Sequence, residues 1–290
     1  MVKIGISHRT VYRYSAPVNL APHRIMLRPR ESRDLRILGM ELRVEPQAAV
    51  SWAQDVAGNA VATAVFGSPA GSLIVHSAVE LELDAMPWPV FAVAASAIEY
   101  PFQYSEDERL DLGALLIPQY ADPAGRLRSW VQGFVRGSPT DTLALLKDIN
   151  VGVLRWMSYQ SRDAEGTQSP LQSLERTWGS CRDFAVLFIE AVRMLGFGAR
   201  IVSGYIYDPR HDMTGAAGTG ATHAWAEVYV PGAGWIAFDP TNRSMGGANL
   251  IPVAVGRHIR QVMPLTGDYF GMGVVSDMSV EVSVSTRVTA

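Results

Sequence analysis

One cysteine, Cys181, stands in the whole 290-residue sequence, which excludes an internal disulfide framework and any zinc site built from several thiolates. Excess charge of one sign is missing too. Lys+Arg number 25 against 28 Asp+Glu, a formal net charge of -3, so the balance gives no electrostatic reason to expect nucleic acid or an anionic membrane as partner. No apolar run is long enough to cross a bilayer, and MVKIGISHRTVYRY at the N-terminus has neither the hydrophobic stretch nor the cleavage signature of a secretion signal. A cytoplasmic protein is the expectation. Internal repeats and low-complexity segments are also lacking. What is present is a hydrophobic content of 48%, enough to bury a core in one large domain or two ordinary ones. In that setting a lone cysteine is either a small core hydrophobe or a reactive thiol.

The apolar period changes along the chain. Leu38, Met40, Leu42 and Val44 form one alternating stripe, and Leu73, Val75, Val79, Leu81 and Leu83 another, both at the period of a half-buried strand. Asp55, Gly58 and Asn59 fall between such runs, where a chain reversal is expected. Residues 84–120 carry Pro87, Pro89, Pro101 and Pro118 and read as a connector. From Asp122 and Pro123, a cap followed by proline at a first helical position, Leu127, Trp130, Val131 and Phe134 recur at helical spacing. Thr142 opens a second helical run through Leu143, Leu146, Ile149, Val153 and Met157; Ser169, Pro170 and Gln172 resemble a capping box for a third. Residues 181–195 continue the helical period through Phe184, Leu187, Phe188, Ala191 and Leu195, with Gly196 placed for a left-handed cap. Strands are expected at 200–207, 222–230 and 235–238 and through Met278, Val280, Val282 and Val284. The fold class is therefore α+β: an N-terminal antiparallel, sandwich-like β domain at 1–90, a connector at 91–120, and a core of helices packed on an antiparallel sheet at 121–290.

Cys181 follows Trp178-Gly179-Ser180 and begins a strongly amphipathic helix. A thiol there lies against the unpaired amides and positive dipole end that stabilise a thiolate. Gly179 suits a tight turn and close approach of a substrate backbone. The apolar stripe of this helix is already filled by Phe184, Leu187, Phe188 and Ala191, whereas Cys181 adjoins Arg182 and Asp183, which argues against a core role.

In the run 222–230, positions 223, 225, 227 and 229 share one face and bring His223, Trp225, Glu227 and Tyr229 together. The turn Val230-Pro231-Gly232-Ala233-Gly234 leads into a return strand ending at Asp239. If Val230 pairs with Gly234, Asp239 falls opposite Trp225, one diagonal step from His223; an even loop would put it on the other face. Pro240 would end the pairing there. A thiol at a helix start, a histidine on a strand and an acid on its neighbour supply nucleophile, base and orienter. These three residues match no recognised metal-ligand spacing. His8, His23, His76, His211 and His258 carry no such context.

The strings Gly-Ser-Cys181-Arg-Asp-Phe-Ala, Met194-Leu-Gly-Phe-Gly-Ala-Arg-Ile-Val-Ser-Gly-Tyr205, Thr222-His-Ala-Trp-Ala-Glu-Val-Tyr and Gly234-Trp-Ile-Ala-Phe-Asp239-Pro-Thr-Asn together resemble the bacterial transglutaminase-like proteins of the papain-like thiol enzyme superfamily. Tyr12-Arg-Tyr-Ser-Ala-Pro-Val and Leu27-Arg-Pro-Arg resemble the N-terminal domain that precedes the core in one bacterial subgroup. The resemblance implies a catalytic triad at the matching positions Cys181, His223 and Asp239. Two positions depart: Gly179-Ser180 stands where Gly-Val is usual, and Gly256-Arg-His258 where Gly-Arg-Asp is more familiar.

The activity expected is transglutaminase-like acyl transfer through a cysteine thioester, on glutamine side chains or peptide bonds, ending in transamidation, deamidation or proteolysis. The partner is a protein or peptide substrate with an amine or water as acceptor. No calcium loop is present, and no metal or other cofactor is expected. The backbone N–H of Cys181 at the helix start is the natural first oxyanion donor. Trp178, Trp156 and Tyr159 lie near in sequence either as candidates for the second or as core aromatics, and residues 208–221, with Gly215, Gly218 and Gly220, form either a candidate lid or an ordinary surface loop. Arg24, Arg28, Arg30, Arg33 and Arg36 make a basic stretch, suited to an acidic partner but read first as a solvated face. The competing class is a non-catalytic binding or scaffold module on the same fold.

Overall fold

In the computed structural model, which describes residues 2–161, 166–207, 213–214 and 222–286, the N-terminal part forms six strands: β1 Val2–Leu20, β2 His23–Ile25, β3 Leu35–Glu45, β4 Ala48–Gln54, β5 Ala60–Phe66 and β6 Ala70–Leu83. The alternation predicted in β6 is realised, with Leu73, Val75, Val79, Leu81 and Leu83 all buried. The stripe on β3 is only partly so. A bulge between Ile37 and Gly39 leaves Leu38 as the extra residue, and it is exposed while Met40, Leu42 and Val44 pack inward. Asp55 closes the expected turn by accepting the amides of Ala57 and Asn59 at 2.9 and 3.0 Å.

The connector holds a two-residue strand, β7 Glu99–Tyr100, and a short helix, α1 Glu106–Leu112. The next helix, α2 Arg126–Gln132, starts later than the Asp122-Pro123 pair suggests. Gly125, at φ +65°, is its N-cap, and Asp122 reaches forward instead to accept the amide of Arg128 at 3.0 Å. After β8 Thr140–Asp141 come α3 Thr142–Trp156, β9 Ser158–Tyr159, α4 Pro170–Arg176, β10 Trp178–Gly179 and α5 Cys181–Met194. Asp141 caps α3, and the Ser169/Gln172 capping box opens α4 as the sequence pattern predicts. Gly196, at φ +94°, ends α5.

The strands that follow are β11 Ala199–Ile206, β12 Met213–Thr214, β13 Thr222–Val230, β14 Gly234–Asp239, β15 Ser244–Met245, β16 Leu250–Gly256, β17 Leu265–Thr266, β18 Tyr269–Phe270 and β19 Val275–Thr286. The core sheet runs β15-β14-β13-β11-β16, antiparallel throughout. One face is covered by α5, where Phe184, Phe188 and Val192 join Ala226, Val228 and Phe238 in a single apolar cluster with residues of α2, α3 and α4. From the other face, Tyr205, Ile251 and Val253 meet Ile4, Ile6, Leu81 and Leu83 of the N-terminal strands. The fold is α+β.

The last strands depart from the division drawn at residue 121. β17 pairs with β2, β18 with β1, and β19 runs beside β1 for most of its length, so the C-terminal segment completes the N-terminal sheets rather than the core. Alternation identified β19 as a strand but carries no information on which sheet receives it. Of its apolar stripe only Val282 and Val284 are buried; Met278 and Val280 stay exposed.

Candidate active site

Cys181 is the first residue of α5, and the turn that delivers it is fixed from inside. Asp183, fully buried, accepts the Ser180 amide at 2.8 Å and the Ser180 hydroxyl at 3.0 Å through Oδ2, and the Gln168 amide at 2.6 Å through Oδ1. Gly179 is needed here for space. A Cβ on it would stand 2.8 Å from Asp183 Cβ and 2.9 Å from Met157 Cε. The room expected for a substrate backbone is thus filled by the protein's own Asp183 and Met157 side chains.

His223 lies near the start of β13 and Asp239 at the end of β14. Val230 pairs with Gly234 and Ala226 with Phe238, the odd-loop register that sends Asp239 to the level of Trp225. His223 Nε2 donates to Asp239 Oδ2 at 2.8 Å, and the imidazole stacks on Trp225 with ring centroids 6.1 Å apart. With Nε2 so engaged, Nδ1 is the nitrogen left for the hydrogen bond that His223 makes with Cys181. The Asp239 carboxylate also accepts Asn242 Nδ2 at 2.7 Å, the Thr241 amide at 3.0 Å and the Asn242 amide at 3.3 Å. Asn242 was missed as a site residue, although it closes the Asp-Pro-Thr-Asn string, whose turn aims its donors back at the acid. Glu227 and Tyr229 share the predicted face but not the site: Glu227 pairs with Arg200 at 2.7 Å and Tyr229 donates to Glu108 at 3.2 Å.

The electrostatics follow from this packing. Burial alone would raise the Cys181 thiol; the hydrogen bond and charge of His223, the Ala224 amide and the Arg182 charge override it and hold the thiol below its ordinary value. Burial likewise disfavours the imidazolium, yet the hydrogen bonds to Asp239 and Cys181 push His223 up to about 10. For Asp239, burial is outweighed by His223 and Asn242, which keep its carboxyl below the usual range. The arrangement stabilises a thiolate–imidazolium pair backed by a carboxylate, and Cys181 itself is only partly buried.

Several of the other candidates are engaged elsewhere. Trp156 Nε1 donates to the Leu174 carbonyl at 3.0 Å, and Trp178 lies under the Arg176 guanidinium at 6.0 Å. Tyr159 is half exposed. His8 bonds Tyr205, His76 bonds Ser7, and His23 donates to the Ala21 carbonyl. His258 caps the short helical turn Ile259–Val262, its Nδ1 accepting the Arg260 amide at 3.2 Å; capping is a role that aspartate also performs. In the basic stretch, Arg24, Arg28 and Arg33 pair with Asp55, Glu31 and Asp34, and Arg30 with Asn59. The candidate lid at 208–221, with His211, lies outside the described residues except for the backbone of β12. Among the described residues no helix is long and apolar enough to cross a membrane.

This architecture has relatives. Residues 4–82 match the bacterial transglutaminase-like N-terminal region, and residues 128–240, which hold Cys181, His223 and Asp239, match the transglutaminase-like superfamily. The chain thus combines a bacterial transglutaminase-like N-terminal region with a segment of the transglutaminase-like superfamily. An uncharacterized protein of Mycobacterium leprae is 26% identical over 289 residues, spanning 98% of this chain and 99% of its own. One of Mycobacterium tuberculosis is 28% identical over 293 residues, spanning 96% and 91%. Among solved structures, a candidate cysteine protease from Cytophaga hutchinsonii shares the fold with a TM-score of 0.73 over 99% of this chain and 98% of its own, at 18% identity.

Proposed function

We propose that this chain is a cysteine acyltransferase or amidase in which Cys181 is the nucleophile, His223 the acid and base, and Asp239 the group that orients His223. The observation that carries the reading is a cysteine at a helix start, only partly buried as a residue, whose thiol is hydrogen-bonded to an imidazole that a buried carboxylate fixes from the far side at 2.8 Å. The Cys181 thiolate attacks the carbonyl carbon of a glutamine side chain or a peptide bond. The C=O electron pair moves onto oxygen and returns as the C–N bond breaks, and the departing nitrogen takes the proton held by His223. A thioester remains. An amine, deprotonated by His223, then displaces the sulfur in transamidation; water does so in deamidation or proteolysis. Asp239 keeps Nδ1 of the ring aimed at the thiol through both halves.

The test is mass spectrometry of wild type and Cys181→Ala after iodoacetamide treatment across a pH range, with a glutamine peptide and a labelled amine on the same samples. Alkylation of Cys181 below the pH of an ordinary thiol, with amine incorporation or ammonia release lost in the variant, supports the proposal. An ordinary slow thiol with no Cys181-dependent turnover overturns it.

A further inference from the structure

The sequence suggested one oxyanion donor, the backbone N–H of Cys181, which as the first residue of α5 has no carbonyl one turn behind it to bond. A tetrahedral oxyanion in a water-poor site calls for a second aimed donor. Tyr159 is held beside the nucleophile by backbone rather than by chance of rotamer. β9 runs parallel to β10 with Tyr159 across from Gly179, and the Gln160 amide donates to the Gly179 carbonyl at 2.9 Å. That registers the tyrosine two residues from Cys181 on the neighbouring segment. Its ring stands edge-on to Phe184, in the first turn of α5, with centroids 6.2 Å apart. Half of its surface is exposed, and among the described residues its hydroxyl has no hydrogen-bond partner. A phenol that packs its ring on the nucleophile's helix while leaving its O–H free is suited to meet something that arrives from solvent.

Burial, and after it the charge of Cys181, raises the phenol's pKa, so the group remains a protonated donor while the thiol ionises. Of the other two aromatics near the thiol in sequence, Trp156 has its N–H occupied by the Leu174 carbonyl, and Trp178 is covered by Arg176.

We infer that the Tyr159 hydroxyl is the second oxyanion donor, acting with the Cys181 amide, in the acyl transfer proposed above, and the inference rests on that proposal. As the Cys181 sulfur bonds to the carbonyl carbon, the carbonyl oxygen acquires the electron pair and receives two hydrogen bonds, one from each donor. No proton is transferred to it. When the C–N or C–O bond breaks, the pair returns and both hydrogen bonds relax.

Tyr159→Phe removes the donor and keeps the ring against Phe184. The full chain is acylated with p-nitrophenyl acetate, and the rate of the p-nitrophenol burst is compared with the rate of iodoacetamide alkylation, a substitution that forms no oxyanion. The expected result is acylation slowed about 100-fold, the magnitude typical of losing one oxyanion donor, with Cys181 alkylation within about twofold of wild type by the same argument. Acylation at the wild-type rate in Tyr159→Phe overturns the inference and leaves the thiol enzyme standing. A parallel fall in acylation and alkylation also overturns it, since Tyr159 would then act on the thiol or the fold. A wild-type chain without a burst that Cys181→Ala abolishes overturns both.

Discussion

His223 and Asp239 meet at 2.8 Å between Nε2 and Oδ2, across strands β13 and β14 that a three-residue turn joins. The contact has a direction. It occupies the nitrogen far from the thiol and supplies the negative charge that raises His223 to about 10. Asp239→Asn keeps a hydrogen-bonding side chain of the same size and removes that charge. Turnover is expected to fall by about 10³ to 10⁴, as in triads that lose the orienting acid, with little change in thermal melting. Steady-state kinetics beside a melting curve make the check, and turnover within tenfold of wild type would contradict the assigned role.

The thiolate–imidazolium pair predicts a pH window. Cys181 sits below its ordinary value and His223 well above 6.5, so the pair exists from the lowered thiol pKa up to about 10. Iodoacetamide should therefore label Cys181 rapidly at pH values where a free thiol, with a pKa of roughly 8.5, reacts slowly. His223→Ala removes the first cause of the lowering, and its labelling curve should move to higher pH. Superimposable curves for wild type and His223→Ala would show that the imidazole does not set the thiol.

How much of this was legible in the sequence depends on the range of the interaction. The helix that begins at Cys181, its end at Gly196 and the Ser169 cap are set by neighbours within four residues, and they stand where local period and capping chemistry put them. The Val230–Gly234 pairing is one of two loop parities that the turn sequence allows, and the realised one puts Asp239 beside His223. Asn242 was overlooked because an amide in a turn reads as turn chemistry; only the folded carboxylate shows what its N–H bonds. The return of β19 to β1 was illegible for a different reason, since strand pairing across more than 260 positions leaves no periodic trace. The bulge at Leu38 also belongs to the partner strand as much as to β3.

Gly179 offers a prediction about packing. Gly179→Ala drives a methyl to 2.8 Å from Asp183 Cβ and 2.9 Å from Met157 Cε, closer than packed carbons approach. Met157 has a flexible end, but Asp183 is held by three donors from Ser180 and Gln168. Overpacking of this kind costs about 1–3 kcal/mol. Because the residue displaced is the one whose carboxylate fixes the turn before Cys181, labelling of the thiol should slow together with the drop in melting temperature. Stability lost with labelling intact would mean that Asp183 does not govern the placement of Cys181.

His8 gives the last prediction, in acid. Its imidazole is buried between β1 and β11, bonding the Tyr205 hydroxyl through Nδ1 at 2.9 Å and the Thr10 hydroxyl through Nε2 at 3.2 Å. Burial, followed by the charge of His76, lowers its pKa from 6.5 to about 4. The unfolded chain therefore binds this proton before the folded chain does. Stability is whole above pH 6.5 and falls as the pH drops from 6.5 toward 4. At 1.36 kcal/mol for each pKa unit the loss is on the order of 3 kcal/mol. Asp239, whose carboxyl is depressed in the fold, adds an acid loss of its own below the usual carboxylate range, so wild type alone cannot isolate the histidine. His8→Gln can. It retains hydrogen-bonding capacity without a titrating ring, so it should start less stable at pH 7 yet lose about 3 kcal/mol less than wild type between pH 7 and pH 4. Urea midpoints for both chains at the two pH values decide the matter: parallel losses would mean that His8 is not the group whose protonation opens the contact between the N-terminal sheet and the core.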